Sequence, residues 1–363
     1  MKQKSFSLER LAHIFIVIVL GFIILREGKF IFGPLAFSLL FAVMLLPVCM
    51  FFERLIKYKI PSILLTLLSV TILLAGLIVI FSVQLSNILN NMTDITGRIG
   101  QGLEQILFWL NQNLNLNKTD LQANIPSIVD NSVSYLQKGI SSSTTFIFNL
   151  LLTFLLVFFL LWYRGNFKRF LLNQADKSKR KELSGIVNKI QTTLQKYLYG
   201  LLLVILILAI LNSIGLLIIG IDYAIFWGIV AAFLSVIPYI GTTVGGTLPF
   251  LYSVATADNW WQPLAVVALY VFIQTLEGNI ITPNVIGSSV SVNAMAAILA
   301  ILAGGVIWGI SGIILAIPAV AVVKIILEHN NRTKPLAFIL SNKVHKSDDA
   351  FWEDMDEDKY RWR

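Results

Sequence analysis

The residues of this sequence that could do chemistry inside an apolar block lie at positions 274–284. Gln274 and Glu277 are three residues apart, so they share one face of a helix. An ionised, unpaired carboxylate is costly in a low dielectric, so Glu277 could exchange a proton for a cation or bind a small hydroxylated ligand. Asn279 reaches the same face only if the helix unwinds before Pro283. We predict that Glu277 is a coupling or substrate-orienting carboxylate; the alternative is a structural hydrogen bond to a neighbouring helix.

A cluster of helix-breaking residues interrupts the apolar block 223–255. Pro238 lacks a backbone donor and clashes with the preceding turn, so one straight helix is not expected here. Gly241 and Pro249 extend the cluster. Backbone groups freed at membrane depth are tolerated where protein or a water-filled cavity covers them. We predict that this break lines a transport path, with Tyr239 offering a hydroxyl and an aromatic face; an ordinary proline kink is the alternative.

A second interruption lies in the apolar block 294–327, which would be about 50 Å long as one helix. Such a block is either strongly tilted or folded back as a re-entrant hairpin. Two interrupted segments that flank one span are typical of secondary transporters. The four-residue spacing of Gly305 and Gly309 also suits closely packed helices, which is the alternative. The residues that could break or pack this block are Gly304, Gly305, Gly309, Gly312 and Pro318.

The elements that carry these residues must be membrane-spanning helices. The chain of 363 residues is 56% hydrophobic and 13% charged, whereas soluble domains contain about a quarter charged residues. Most of its apolar blocks exceed the roughly 18 residues that indicate a spanning helix. The sequence therefore predicts an all-α, polytopic integral membrane protein with about eight spans and with broken or re-entrant helices in its C-terminal half. The blocks are 11–25, 30–52, 60–83, 145–163, 198–221, 223–255, 263–281 and 294–327.

The two long polar stretches differ in charge. Residues 164–197 carry nine Lys and Arg against two acids, which predicts a cytoplasmic loop. The stretch 84–143 carries three against four, which permits an extracytoplasmic position. Counting spans outward predicts a multi-pass protein of the cell membrane, the inner membrane in a Gram-negative source, with both termini in the cytoplasm. An apolar stripe at 183–194 predicts an amphipathic helix that lies on anionic lipid, gates the inner mouth or packs on its own bundle.

These stretches divide the chain into predicted segments. They are helices 1–3 at 1–83, an extracytoplasmic amphipathic helical insert at 84–143, helix 4 at 144–163, the basic loop with its amphipathic helix at 164–197, a transport region with helices 5–8 at 198–328, and a polar, disordered cytoplasmic tail at 329–363.

Three groups of residues resemble the signature regions of the AI-2E transporter family, also called PerM-like permeases. The groups are Ile237 to Gly241, the series Gln274, Glu277, Asn279, Pro283 and Gly287, and Gly304 to Pro318. The resemblance covers nearly the whole chain, and it implies eight spans with a long helical insert after the third. It also implies export of autoinducer-2, the furanone quorum-sensing signal, or sodium(lithium)/proton antiport as in other members. The acidic, aromatic tail after Ser341 is not part of the resemblance.

Secondary transport driven by an ion gradient is the predicted function. A nucleotide-driven pump is disfavoured because the sequence lacks a G-x-x-x-x-G-K-[ST] loop, and an enzyme is disfavoured because it lacks H-E-x-x-H and a serine nucleophile elbow. A non-transporting membrane scaffold or interaction protein is the alternative of another class. The single Cys49 provides neither a disulfide nor a thiolate metal site, and no metal or cofactor is expected.

The expected partners are the lipid bilayer, a small-molecule or ion substrate, and further copies of the chain in a homo-oligomer. Nucleic acid is not expected, because an excess of Lys and Arg in a membrane protein fits positively charged cytoplasmic loops.

Overall fold

The computed structural model describes residues 8–91, 143–237, 240–257, 259–330 and 333–342, together with Ile99 and Gly102. Pro238, Tyr239, most of the predicted insert 84–143 and positions 343–363 of the predicted tail 329–363 therefore lie outside the described residues. The first part of that tail was predicted wrongly as disordered, because Lys334–Ile339 forms a helix. The described chain is helical apart from connecting turns and one isolated bridge between Val292 and Ser341.

The helices follow the apolar blocks of the sequence. They are α1 (Leu8–Glu27), α2 (Lys29–Ile56), α3 (Lys59–Asn91), α4 (Ser143–Asn173), α5 (Arg180–Ile219), α6 (Ala224–Leu234), α7 (Ile240–Thr256), α8 (Trp261–Leu276), α9 (Thr282–Val285), α10 (Gly287–Val290), α11 (Ala294–Trp308), α12 (Ile310–His329) and α13 (Lys334–Ile339). A short 3₁₀ turn, Lys177–Lys179, precedes α5, and a π turn, Glu277–Ile281, follows α8.

Several of these helices have the length and composition of membrane spans. Among the described residues, six apolar helical segments are long enough to cross a membrane: α2, α3, α4, α5 with its preceding turn, the run from α8 to α9, and α12. The helices α6 and α11 are shorter apolar helices. The prediction of an all-α, polytopic membrane protein with interrupted helices in its C-terminal half is confirmed.

The N-terminal helices α2, α3 and α4 pack around a small apolar core that includes Leu45, Ile63 and Leu161. Pro47 lies inside α2 and has no N–H to donate to the carbonyl of Val43 one turn earlier. The Nε2 amide of Gln195, on α5, donates to that carbonyl oxygen at 2.9 Å. A polar side chain from α5 thus satisfies the backbone group that the proline leaves free, and it ties α5 to α2.

The helix α5 begins in the predicted basic loop and continues through the apolar block that follows it. Its 40 residues correspond to a length of about 60 Å. The helix can be continuous because no proline interrupts the sequence between Arg180 and Ile219. The predicted amphipathic stripe and the predicted fifth span are therefore parts of one helix.

The block 223–255 is broken, as predicted, into α6 and α7. The two helices fold back on each other, since Gly245 of α7 lies against Ala231 of α6. Gly241 lies in the first turn of α7. The Gly241 backbone is so close to Leu234 that an added Cβ would overlap the Leu234 carbonyl oxygen. Any larger residue at position 241 would push the two helices apart.

The block 294–327 forms a hairpin of α11 and α12 rather than one tilted helix. The chain reverses at Gly309, whose φ of +63° lies in the left-handed region. The two helices meet most closely at Gly304 and Gly312, where a Cβ on either residue would overlap the backbone of the other. Of the two predicted alternatives, the structure has the hairpin, and glycine at 304 and 312 permits its close packing.

Candidate functional site

Glu277 begins the π turn that joins α8 to α9. This turn, Glu277–Ile281, is wider than an α-helical turn and ends one residue before the Thr282–Pro283 pair that opens α9. An uninterrupted α-helix would bring the Pro283 ring against the preceding turn, and the wider turn accommodates it. Turns of this kind inside α-helices are frequent at functional sites.

The Glu277 carboxylate accepts two hydrogen bonds, both from neutral side chains. The Gln274 Nε2 amide donates to its Oε2 at 2.9 Å, which agrees with the predicted shared helix face. The Thr282 hydroxyl donates to its Oε1 at 2.9 Å. Sequence reasoning missed Thr282, because a residue five positions ahead comes within reach only through the wider turn.

Asn279 does not contact the Glu277 carboxylate. The helix does widen here, which was the condition for Asn279 to reach the same face. Its side-chain amide instead donates to the Thr275 carbonyl oxygen at 2.9 Å. Pro283 is exposed on α9. Of the four residues singled out in the polar stretch, the structure therefore joins Gln274 and Glu277 directly, while Pro283 shapes the turn that presents Glu277.

A small cavity lies beside Gln274 and Glu277, between α5, α6 and α8. The space in it that is open to water is about 20 Å³, which is room for about one water molecule. Its wall is part polar and part apolar. The residues that line it are Leu208, Asn212, Ala231, Ser235, Tyr270, Ile273, Gln274 and Glu277.

Two polar atoms of the cavity wall have no partner among the described residues. Asn212 is only 4% exposed, yet its side-chain oxygen accepts no hydrogen bond. The buried hydroxyl of Tyr270 also lacks a partner. Buried polar groups are nearly always satisfied by protein, water or an ion, so these two atoms are positions on the cavity wall at which a polar species can bind.

Asn212 and Tyr270 were not among the residues picked out from the sequence. Asn212 interrupts the apolar run of α5, so a polar residue at membrane depth was a visible signal. Tyr270 gave no such signal, because a tyrosine is common in an apolar helix.

The first helix break adjoins this cavity. Ser235, just after the end of α6, lines it, and Gly241 lies against Leu234 on the far side of the break. Pro249 is buried inside α7 and does not line the cavity. The break between α6 and α7 is therefore next to Gln274 and Glu277.

The second interruption lies elsewhere. Trp308, at the end of α11, donates its indole N–H to the Leu25 carbonyl oxygen of α1 at 2.7 Å. Pro318 is buried in α12, and neither it nor any of the four glycines of the hairpin lines the cavity. In this structure, the hairpin of α11 and α12 packs against α5 as well as against the N-terminal helices α1 and α2, and it contributes no side chain to the cavity.

Charge in the site is unbalanced. Within the described residues, no Lys, Arg or His forms an ion pair with Glu277. The same part of the chain contains no group of three or more His, Cys, Asp or Glu that could hold a metal ion. A carboxylate held by neutral donors beside a water-sized cavity at membrane depth is a candidate for an ion or substrate pathway.

Comparisons with known proteins agree with this architecture. The family model described as "AI-2E family transporter" matches residues 13–332. The "Putative transport protein YueF" of Bacillus subtilis is 28% identical over 85% of this chain and 89% of its own length. A "Putative transport protein" of Borreliella burgdorferi is 28% identical over 92% of this chain and 92% of its own length. The "AI-2 transport protein TqsA" of Escherichia coli is 23% identical over 90% of this chain and 95% of its own. The profile match covers well over half of the sequence, and the chain belongs to the AI-2E family of transporters.

Proposed function

We propose that this protein is a secondary transporter that moves a small polar solute through the region around Glu277. One observation carries the proposal: in the part of the chain that the structure describes, a carboxylate without a cationic partner shares a water-sized cavity with the unsatisfied side chains of Asn212 and Tyr270. Polar groups at membrane depth are costly, and they typically mark ion or substrate pathways.

The proposed mechanism uses the protonation of Glu277. When the carboxylate is ionised, it attracts a cation or the hydroxyl groups of a ligand; when it is protonated, that attraction is lost. The neutral donors Gln274 and Thr282 hold the carboxylate in place. The broken segment between α6 and α7 supplies a joint at which access could alternate.

Autoinducer-2 is the first candidate substrate, because the relative TqsA is named an AI-2 transport protein. Export is the direction that the family resemblance implies. A cavity with room for about one water molecule cannot hold a furanone, so α6, α7 or α8 would have to move apart before such a ligand could bind.

Sodium(lithium)/proton antiport is the second candidate, and the size of the cavity favours it. A space of about 20 Å³ fits one small cation as well as it fits one water molecule. The side-chain oxygens of Asn212 and Glu277 are hard ligands of the type that alkali cations prefer. Exchange of a proton for such a cation at one carboxylate would need no larger opening.

Counterflow into proteoliposomes separates these functions. Vesicles loaded with unlabelled autoinducer-2, sodium or lithium should accumulate the matching labelled species from outside, and only the true substrate should do so. Reconstituted protein that accumulates none of them, although it is folded by size-exclusion chromatography and circular dichroism, would leave the scaffold as the better hypothesis.

We also propose that both termini and the loop before α5 face the cytoplasm, and that the protein works as a homo-oligomer. In a chain without Cys49, a cysteine at Ser178 should resist an impermeant thiol reagent in intact cells, whereas one at Asn115 should be labelled. Labelling of position 178 from outside would contradict the orientation. Crosslinking in membranes would test the assembly.

A further inference from the structure

The end of α4 and the start of α5 form a strongly basic surface. We call residues 167–181 the basic tip. Lys168 donates to the Asn188 side chain and Arg180 to the Ala175 carbonyl oxygen. Four further cations of the tip are exposed, and their side chains have no hydrogen bond or ion pair within the part of the chain that the structure describes; they are Arg169, Lys177, Lys179 and Lys181.

The basic tip also exposes aromatic surface. Phe167 and Phe170, in the last turns of α4, are 51% and 60% exposed. Exposed cations next to exposed aromatic rings suit an acidic partner that carries apolar side chains of its own.

The far end of the basic tip, at positions 177–181, extends too far from the apolar part of α4 to suit lipid headgroups. The apolar block ends at Tyr163, and α4 continues for ten more residues to Asn173, or about 15 Å. The headgroup region adds only about 5–8 Å on each side of the hydrocarbon core. If α4 crosses the membrane near its normal, Lys177, Lys179 and Lys181 stand beyond the headgroups, which favours a partner outside the lipid.

A segment of this chain has the complementary composition. Positions 348–358 contain seven Asp and Glu and no Lys or Arg, with Phe351 and Trp352 among them. These positions lie outside the described residues, and the family profile ends at position 332. The acidic run is therefore an addition to the matched part of the chain.

The last described residues before the acidic run lie at the same end of the molecule as the basic tip. The Asn342 backbone N–H donates to the Ser291 carbonyl oxygen at 3.1 Å. Asn342 shares a cleft with Glu328, whose carboxylate pairs with Lys189 of α5 at 2.8 Å. Lys189 is about 12 Å along α5 from Lys181.

The chain between Asn342 and the acidic run is long enough to reach the basic tip. The six residues that lead from Asn342 to position 348 span up to about 20 Å when extended, and the acidic run itself adds further reach.

We propose that the acidic run 348–358 docks on the basic tip of the same chain. Its carboxylates pair with Lys177, Lys179 and Lys181, and its aromatic side chains pack near Phe167 and Phe170. The contact joins the C-terminal segment to the start of α5, the helix that carries Asn212. It is independent of which solute the protein transports.

Spin labels at Ser178 and Ala350 test the contact in the full chain, with Cys49→Ala and in nanodiscs of neutral lipid. We expect one narrow distance distribution below about 30 Å at low salt. It should broaden in 1 M salt, where the screening length falls to about 3 Å. Lys177→Gln, Lys179→Gln and Lys181→Gln together should broaden it equally at low salt.

The matched control neutralises three cations outside the tip, Lys29, Arg54 and Lys196, and should leave the distribution narrow. A distribution that is broad in the unaltered tip, or that the triple change at 177, 179 and 181 does not affect, overturns the proposal. A tip label that becomes immobile only when anionic lipid is added, with or without positions 343–363, would assign the surface to lipid instead.

Discussion

Two regions differ in whether their polar groups have partners: the junction of α2 with its neighbouring helices, and the cavity beside Glu277. At the α2 junction, Arg164 pairs with Glu53 at 2.5 Å, and Gln195 donates to the carbonyl that Pro47 leaves free. Around the cavity, within the described residues, Glu277 has only neutral donors and the Asn212 side-chain oxygen has no hydrogen-bond partner. In a low dielectric, satisfied groups hold helices together, whereas unsatisfied groups remain available to a ligand. The same kinds of residue thus stabilise the fold in one region and are free to bind in the other.

The largest expected effect is the loss of transport in Glu277→Gln. The amide keeps the size and the hydrogen-bonding capacity of the carboxylate, but it cannot release a proton or hold a cation. Counterflow of the true substrate should fall to background, with thermal stability within about 1 kcal/mol of the wild type.

Asp222→Asn is the matched control for Glu277→Gln, because Asp222 is an exposed carboxylate outside the cavity. It should transport at the wild-type rate. If folded Glu277→Gln keeps the wild-type dependence on pH and cation gradient, Glu277 is a structural residue and the contrast between the two regions fails.

Glu53→Gln should have the opposite effect. Its pair with Arg164 is partly buried, with side chains 22% and 30% exposed. Removing the negative charge leaves the guanidinium without a counter-ion, which we expect to cost about 2 kcal/mol after allowing for solvent screening. Unfolding in detergent, followed by tryptophan fluorescence, should show the loss, while transport per folded molecule stays unchanged. Unaltered stability with impaired transport would place Glu53 in the transport path.

The helices, their interruptions and part of the site could be predicted from the sequence alone. The apolar blocks predicted the helices, and the clusters of proline and glycine predicted that two blocks are interrupted. The breaks lie next to Gly241 and at Gly309, whereas Pro249 and Pro318 lie inside α7 and α12 and do not break them. Gln274 and Glu277 could be paired from their spacing, since a helix fixes which residues share a face. Those inferences needed only one element at a time.

The rest of the site depends on packing between elements. Asn212 and Tyr270 meet Glu277 across α5 and α8, and no local pattern specifies that meeting. Thr282 reaches the carboxylate through a π turn that α-helical spacing does not describe. Whether 294–327 was tilted or folded back was settled by the contact of Gly304 with Gly312, which spacing left open.

Asn212→Leu should stabilise the protein while it impairs transport. The substitution replaces a buried amide with an unsatisfied oxygen by an apolar side chain of similar size. Removing an unsatisfied buried polar group is expected to gain about 1 kcal/mol. A thermal melt should therefore shift upward as counterflow declines. If stability falls instead, Asn212 has a structural partner and is not available to a ligand.

Gln195→Leu should have the smallest effect, a loss of about 0.6–1 kcal/mol, because interhelical hydrogen bonds in membranes contribute roughly that much. The substitution leaves the Val43 carbonyl without the donor that replaces the N–H missing at Pro47. Pro47→Ala restores that N–H, so Gln195→Leu should cost less in the Pro47→Ala background than in the wild type. A double-mutant cycle on unfolding free energies measures the difference. Equal costs in both backgrounds would mean that Gln195 stabilises the junction by packing alone, and the polar contrast between the two regions would then rest on Glu53 and Arg164.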